Sequence, residues 1–82
     1  MITSDKIAVM GVGYVGLPLC ISLGKKYETT GFDINKKRID DLKKGVDLTK
    51  TYSKKDLNKS KLLSFTSNKN NLKNSNLFWN MF

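Results

Sequence analysis

Short apolar runs and helical patterns alternate along the first half of the chain. Residues 7–10 are continuously apolar, which is typical of a buried strand in a parallel sheet. Residues 29–32 form a second strand-like run. Between the two runs, apolar or small residues recur at helical spacing, namely Leu17, Cys20, Ile21 and Gly24. The order strand, helix, strand predicts a βαβ unit with parallel strands.

A second helix is predicted directly after the second strand. Asn35 is a favourable N-cap, and Ile39 and Leu42 form a narrow apolar stripe. Gly45 is expected to end this helix, because glycine readily adopts the left-handed conformation that terminates helices. Pro18 does not interrupt the first helix, since it falls in the first turn, where a missing N–H has little effect.

In the remaining residues the alternation of helices and strands is predicted to continue, although the apolar patterns are shorter. Residues 53–56 resemble a capping box with Asp in place of Glu, and they open a short helix that carries Leu57. Residues 62–66 are predicted to be a third strand. Residues 67–76 are polar and are predicted to be a loop or one helical turn, and an apolar run from residue 77 begins a fourth strand.

Candidate chemistry is concentrated in residues 11–16, Gly-Val-Gly-Tyr-Val-Gly, between the first strand and the first helix. This spacing in this position is the fingerprint of a nicotinamide or flavin dinucleotide site. Gly11 allows a sharp turn, Gly13 allows the backbone to approach a pyrophosphate, and Gly16 allows the helix to pack closely on the sheet. A glycine turn without a ligand is the alternative, and the flanking strand and helix patterns disfavour it.

An acidic residue, Asp33, ends the second predicted strand, where its carboxylate can accept hydrogen bonds from adenosine ribose hydroxyls. Arg38 places a cation nearby, although pairing with Asp41 or with solvent is an alternative. Asp33 also repels the 2′-phosphate of NADP, while Lys36, Lys37 and Arg38 soften that repulsion. NAD is therefore the predicted cofactor.

The fold class that follows is α/β. We expect a Rossmann-type βαβαβ half with a parallel sheet, that is, an incomplete doubly wound domain, because 82 residues are too few for both halves. Residues 1–82 are interpreted as an N-terminal fragment of an NAD-binding Rossmann domain. Residues 77–82 are expected to be an aberrant or truncated end.

The formal charge of +8 lies entirely in residues 36–82, because acidic and basic residues balance in residues 1–35. Lysine and asparagine rise together there, with Arg38 as the single arginine, which suggests a codon bias more than a phosphate-binding surface. A nucleic-acid partner is therefore disfavoured. No apolar run approaches the ~20 residues that span a bilayer, and no signal peptide is apparent, so neither a membrane partner nor export is expected. We expect a cytoplasmic protein.

Catalytic residues are not apparent. The single cysteine, Cys20, falls on a helix face with apolar neighbours, and the chain contains no histidine that would activate it. We interpret Cys20 as a small packing residue. Paired carboxylates beside the fingerprint and metal-ligand clusters are also missing from the sequence, so whether this chain is itself an enzyme stays open.

Residues 6–19, 31–35 and 37–39 resemble the N-terminus of the UDP-glucose/GDP-mannose dehydrogenase family. The segment Gly-Tyr-Val-Gly-Leu-Pro-Leu at residues 13–19 is the most specific part of the resemblance. Residues 17–19 and 45–57 are more similar to the UDP-N-acetylhexosamine 6-dehydrogenases of surface polysaccharide pathways, because the Tyr-Glu-Pro-Gly stretch of the UDP-glucose branch is absent. The resemblance covers residues 6–77, which correspond to the start of a much longer family member.

The resemblance implies NAD-dependent oxidation of a sugar C6 alcohol to a carboxylate through a cysteine-bound thioester. It implies that Asp33 and Arg38 hold the adenosine ribose and that Gly16 packs the helix, while the pyrophosphate turn is lined by Gly11, Val12, Gly13, Tyr14 and Val15. The family's catalytic cysteine, catalytic lysine and sugar-binding residues correspond to positions beyond residue 82. A UDP-sugar substrate and homo-oligomerisation are therefore expected only of the full-length enzyme.

Two other interpretations stay open. The chain is alternatively a small non-catalytic nucleotide-binding or regulatory module, in which the same glycine turn serves binding alone. A basic nucleic-acid-binding protein is the less favoured third interpretation, and it rests only on the positive charge.

Overall fold

The computed structural model describes residues 5–13, 15–48 and 50–75, together with the backbone of residues 77–80. Its elements follow the predicted order. In chain order they are β1 (Lys6–Met10), α1 (Gly16–Leu23), β2 (Glu28–Phe32), α2 (Lys36–Lys43), α3 (Lys54–Asn58), β3 (Leu63–Thr66), a 3-10 turn (Lys69–Leu72) and β4 (Leu77–Asn80).

The four strands form one parallel sheet in the order β3-β2-β1-β4. The chain moves outward from β1 to β3 and then returns to β4 on the other side of β1, where Ile7 pairs with Leu77. This reversal creates a topological switch point beside the carboxyl end of β1, which is where doubly wound sheets bind ligands. The predicted Rossmann-type half is thus confirmed. The parallel pairing of β4 with β1 places residues 77–80 within that sheet, and residues 81–82 lie outside the described residues.

Alternation along β1 divides the core between the two faces of the sheet. Ile7 and Val9 pack on the face covered by the helices, where the buried cluster also contains Val12, Leu17, Cys20, Ile21, Ile39, Leu42 and Leu57. Ala8 lies on the opposite face in a smaller cluster with Phe32 and Leu72, and Met10 packs against it. The larger cluster therefore joins β1 to α1, which follows β1, and to α2 and α3, which lie between β2 and β3.

The predicted helix boundaries are confirmed at several positions. The Asn35 side chain accepts a hydrogen bond from the Arg38 N–H at 3.1 Å, and Gly45, with φ of +83°, follows the end of α2. Ser53 and Asp56 form the predicted capping box at α3. The backbone N–H and the hydroxyl of Ser53 donate to the Asp56 carboxylate, and these bonds lower the pKa of Asp56.

The polar stretch before β4 contains a 3-10 turn, Lys69–Leu72, which confirms the helical-turn alternative for that region. Leu62 precedes β3 and is not part of it, a difference of one residue from the prediction. Among the helices of the described residues, none is long and apolar enough to cross a membrane.

Candidate dinucleotide-binding site

The turn between β1 and α1 forms the base of the candidate site. Gly11 has φ of +102°, a conformation that side chains disfavour, and its N–H donates to the Phe32 carbonyl at 2.7 Å. Val12 follows with its side chain fully buried. Its Cγ1 would lie only 2.8 Å from a methyl group added at Gly31, so the absence of a side chain on β2 makes room for Val12.

Gly13 differs from these glycines because the described part of the protein does not require it. A methyl group added there would meet none of the described heavy atoms outside its chain neighbours within 4 Å, and Gly13 is exposed. A glycine that packing does not explain is expected where a ligand approaches the backbone closely. The open space beside Gly13 therefore fits a pyrophosphate at this turn.

The start of α1 is also suited to an anion. Val15 occupies the N-cap position and makes no side-chain capping bond, and the first turn carries no acidic residue. Gly16 begins the helix and is buried. A helix start without a side-chain acceptor retains its positive partial charge and its N–H donors for a negatively charged ligand.

The Asp33 carboxylate bridges the ends of β1 and β2. Its Oδ2 accepts from the Val12 N–H at 3.2 Å, and its Oδ1 accepts from the Asn35 N–H at 3.0 Å. Each carboxylate oxygen has a further lone pair, so these bonds leave acceptor capacity for ribose hydroxyls. Asp33 follows the end of β2, as predicted, and its carboxylate lies against the glycine turn.

Arg38 reaches the same turn from α2. Its Nε and Nη2 donate to the Val12 carbonyl at 3.1 and 2.8 Å, and its Nη1 donates to Asp47 Oδ1 at 2.9 Å. The alternative that Arg38 pairs with Asp41 is wrong, because Lys37 Nζ lies 3.5 Å from Asp41 and Asp47 takes the guanidinium. Sequence reasoning missed Asp47, since nothing in its local sequence shows that it meets a residue nine positions earlier.

Two exposed aliphatic side chains belong to the segments that form the candidate site. Ile34, which carries no motif in the sequence that singles it out, is 78% exposed directly after Asp33, and Val15 is 64% exposed in the turn. Exposed aliphatic side chains beside a polar site are a signal for a flat apolar ligand group such as a base. Tyr14, predicted to line the turn, lies outside the described residues.

Cys20 does not take part in this site. Its side chain is buried in the larger core cluster, and burial raises the pKa of the Cys20 thiol from 9.0 to about 12. A thiol with this pKa is almost entirely protonated at neutral pH, so it is a poor nucleophile. The packing role predicted for Cys20 is confirmed.

In the described part of the chain, no group of acidic, cysteine or histidine side chains is arranged to hold a metal ion.

Known proteins match both the sequence and the fold. Residues 5–79 match the NAD-binding domain of the UDP-glucose/GDP-mannose dehydrogenase family. UDP-N-acetyl-D-glucosamine 6-dehydrogenases from Salmonella typhi and Pseudomonas aeruginosa are 45% and 47% identical over 73 residues, which are 89% of this chain and 17% of each relative. The chain thus spans less than a fifth of the length of these relatives.

A solved structure gives the same result. A UDP-D-ManNAc dehydrogenase from Pyrococcus horikoshii has a TM-score of 0.82 and 31% identity, over 92% of this chain and 19% of that one. The sequence match and the fold agree on the same segment, and the matched segment is a cofactor domain, which confirms the predicted NAD. The chain belongs to the UDP-glucose/GDP-mannose dehydrogenase family, and the part of the family that it represents is the NAD-binding domain.

Proposed function

We propose that this chain supplies the NAD-binding part of a UDP-N-acetylhexosamine 6-dehydrogenase that forms a uronic acid for surface polysaccharide biosynthesis. The names of the two relatives at 45% and 47% identity support this substrate class. When bound, the nicotinamide would accept a hydride from the C6 carbon of the sugar. The residues of this chain would bind and orient the cofactor.

One observation carries this proposal. The Asp33 Oδ2 accepts a hydrogen bond from the Val12 N–H at 3.2 Å, so the carboxylate lies against the glycine turn. Gly11, Val12, Gly13, Tyr14 and Val15 are proposed to line the pyrophosphate, with Gly16 at the helix start. Asp33 would accept from the adenosine ribose hydroxyls, and Ile34 would contact the adenine. Ribose and pyrophosphate would then lie on adjacent parts of one surface.

Arg38 is proposed to help hold the ribose. A guanidinium has five N–H groups, and the hydrogen bonds of Arg38 to Val12 and Asp47 use three of them. A ribose hydroxyl would accept from a remaining N–H group. Since the guanidinium is anchored at two points, it would lose little rotamer freedom when the cofactor binds.

The chemical step is proposed to depend on the rest of a full-length protein. Cys20 does not supply the nucleophile of a thioester mechanism, because it is buried with a pKa of about 12. A reactive cysteine, the UDP-sugar site and the contacts for homo-oligomerisation would belong to the part of the family that this chain does not span. Nucleotide-sugar oxidation by such an enzyme would take place in the cytoplasm.

The test is a calorimetric titration of the full chain with NAD and with NADP, comparing wild type with Asp33→Asn. We expect the variant to bind NAD about 5- to 150-fold more weakly, because a charged acceptor of ribose hydrogen bonds is lost, at roughly 1–3 kcal/mol. Its preference for NAD over NADP should also narrow, because the charge that repels a 2′-phosphate is gone.

Asp40→Asn is the matched control, since Asp40 is exposed on α2 and its replacement removes the same charge. The control should bind NAD as wild type does. Equal NAD affinity in wild type and Asp33→Asn, or no binding by wild type, would contradict the proposed function.

A further inference from the structure

Asp47 is a completely buried carboxylate in the loop after α2, with a side chain that is 0% exposed. Its Oδ1 accepts from Arg38 Nη1 at 2.9 Å, and its Oδ2 accepts from the backbone N–H groups of Thr51 and Tyr52 at 3.2 and 3.0 Å. A buried charge is tolerated only when it is paired and hydrogen-bonded. These bonds fix Asp47 in one position relative to the following loop.

Arg38 connects Asp47 to the glycine turn by hydrogen bonds. Two of its nitrogens, Nε and Nη2, donate to the single carbonyl oxygen of Val12. The N–H of Val12 is held separately by Asp33. Both backbone polar groups of Val12 therefore have charged partners, and charge-assisted hydrogen bonds are roughly twice as strong as neutral ones.

The Val12 carbonyl belongs to the same peptide unit as the Gly13 N–H. Because a trans peptide is planar, its C=O and N–H point in opposite directions. Arg38 therefore fixes the direction of the Gly13 N–H when it holds the Val12 carbonyl. This N–H lies at the exposed glycine where the described part of the protein leaves open space.

We propose that Asp47 is a positioning residue for cofactor binding, which holds Arg38 on the Val12 carbonyl and thereby aims the Gly13 N–H at the pyrophosphate. Asp47 does not touch the cofactor. The expected effect of Asp47 on NAD affinity rests on the proposed function. Its effect on the position of Arg38 and on the direction of the Gly13 N–H rests on the cofactor-free geometry alone.

The test compares wild type with Asp47→Asn in the full chain. Asparagine has the same shape, and its carbonyl oxygen can still accept from Thr51 and Tyr52, but its amide N–H₂ would face the Arg38 guanidinium, donor against donor. In cofactor-free protein, the Arg38 Nε–H should exchange faster with solvent, and the Gly13 amide resonance should shift. NAD affinity measured by calorimetry should fall about 10-fold.

Asp41→Asn is the matched control. Asp41 lies on α2 near Arg38 but pairs with the exposed Lys37 at 3.5 Å, and neither residue contacts the turn through that pair. Its replacement removes one carboxylate from an ion pair of the same helix. NAD affinity and both NMR signals should stay at their wild-type values.

A double-mutant cycle separates positioning from a general effect on folding. In an Arg38→Met background, Asp47→Asn should not weaken NAD binding further, because the connection to Val12 is already broken. A second, independent loss of affinity in that background would overturn the proposal. So would Asp47→Asn with unchanged Arg38 Nε–H exchange and an unchanged Gly13 amide, a result that stands even if Arg38→Met fails to fold.

The two proposals fail in different ways. If wild type binds no NAD, the proposed function is contradicted, while the cofactor-free spectra still decide whether Asp47 positions Arg38. If wild type binds NAD and Asp47→Asn binds it equally well, the proposed function stands and the positioning role is overturned.

Discussion

The first two helices begin at the same edge of the sheet, yet their first turns are built differently. In α2, the Asn35 side chain caps the Arg38 N–H, and Asp33 accepts from the Asn35 N–H. In α1, Val15 provides no side-chain cap. Both helices are eight residues long, so the difference does not come from their length. A helix start that serves the fold is satisfied by its own side chains, whereas one that serves a ligand keeps its donors.

Hydrogen bonds also connect the start of α2 with the turn before α1, and side chains of the α2 region make these bonds to the backbone of that turn. Arg38 in α2 and Asp33 at the end of β2 both bond to Val12, in the turn before α1. The start of α2, which is capped by its own side chains, therefore stabilises the uncapped turn before α1. The first turn therefore needs no side-chain cap of its own to keep its shape, because its backbone at Val12 is held by residues of the neighbouring crossover.

The largest effects are expected from the two glycines that flank α1. A methyl group added at Gly24 would lie 2.6 Å from Leu63 Cβ and 3.0 Å from the Cys20 carbonyl oxygen, so Gly24→Ala should lower the free energy of unfolding by roughly 1–3 kcal/mol. Gly13→Ala, with open space around it, should leave stability within about 0.5 kcal/mol of wild type but weaken NAD binding. Chemical denaturation and calorimetry measure the two quantities.

This pair tests whether the first turn is shaped for a ligand. Loss of stability in Gly13→Ala comparable to that in Gly24→Ala would show that the protein itself requires the glycine at position 13. The difference between the starts of α1 and α2 would then not indicate a ligand site at α1.

An acidic residue at the N-cap of α1 should give this helix the side-chain acceptor that α2 has and α1 lacks. Val15→Asp places a carboxylate beside the proposed pyrophosphate, and we expect NAD affinity to fall about 10-fold from charge repulsion, roughly 1.4 kcal/mol. Stability should not fall, because an acid near a helix N-terminus interacts favourably with the dipole. Val15→Asn is the neutral control of similar shape. Equal NAD affinities for the Asp and Asn variants would mean that no anion binds there.

Much of this architecture was predictable because its determinants are local. The apolar run at residues 7–10, the cap at Asn35 and the capping box at residues 53–56 each specify their element within a few positions. Asp33 was also predictable, because the end of a parallel strand next to a glycine turn is a recurrent position for an acid.

The partners of Arg38 were not predictable for the opposite reason. Its bonds to Val12 and Asp47 span 26 and 9 positions and depend on how α2 and its following loop pack against the first turn. Asp47 lies in a lysine-rich segment, where any of several cations is an equally good partner on sequence grounds. Only the packed structure distinguishes Asp47, a fully buried acid that pairs with an arginine, from Asp41, which pairs with an exposed lysine.

The smallest expected effect concerns the cap of α2. Asn35→Ala removes the acceptor of the Arg38 N–H, 3.1 Å away, and should lower the free energy of unfolding by about 1 kcal/mol. NAD affinity should change less than twofold, about 0.4 kcal/mol, because the Arg38 guanidinium remains anchored by Val12 and Asp47. Asn35→Ser, which retains a capping oxygen, should restore the stability. If Asn35→Ala instead weakened NAD binding without loss of stability, the second turn would be part of the ligand site, and the division between the two helix starts would be wrong.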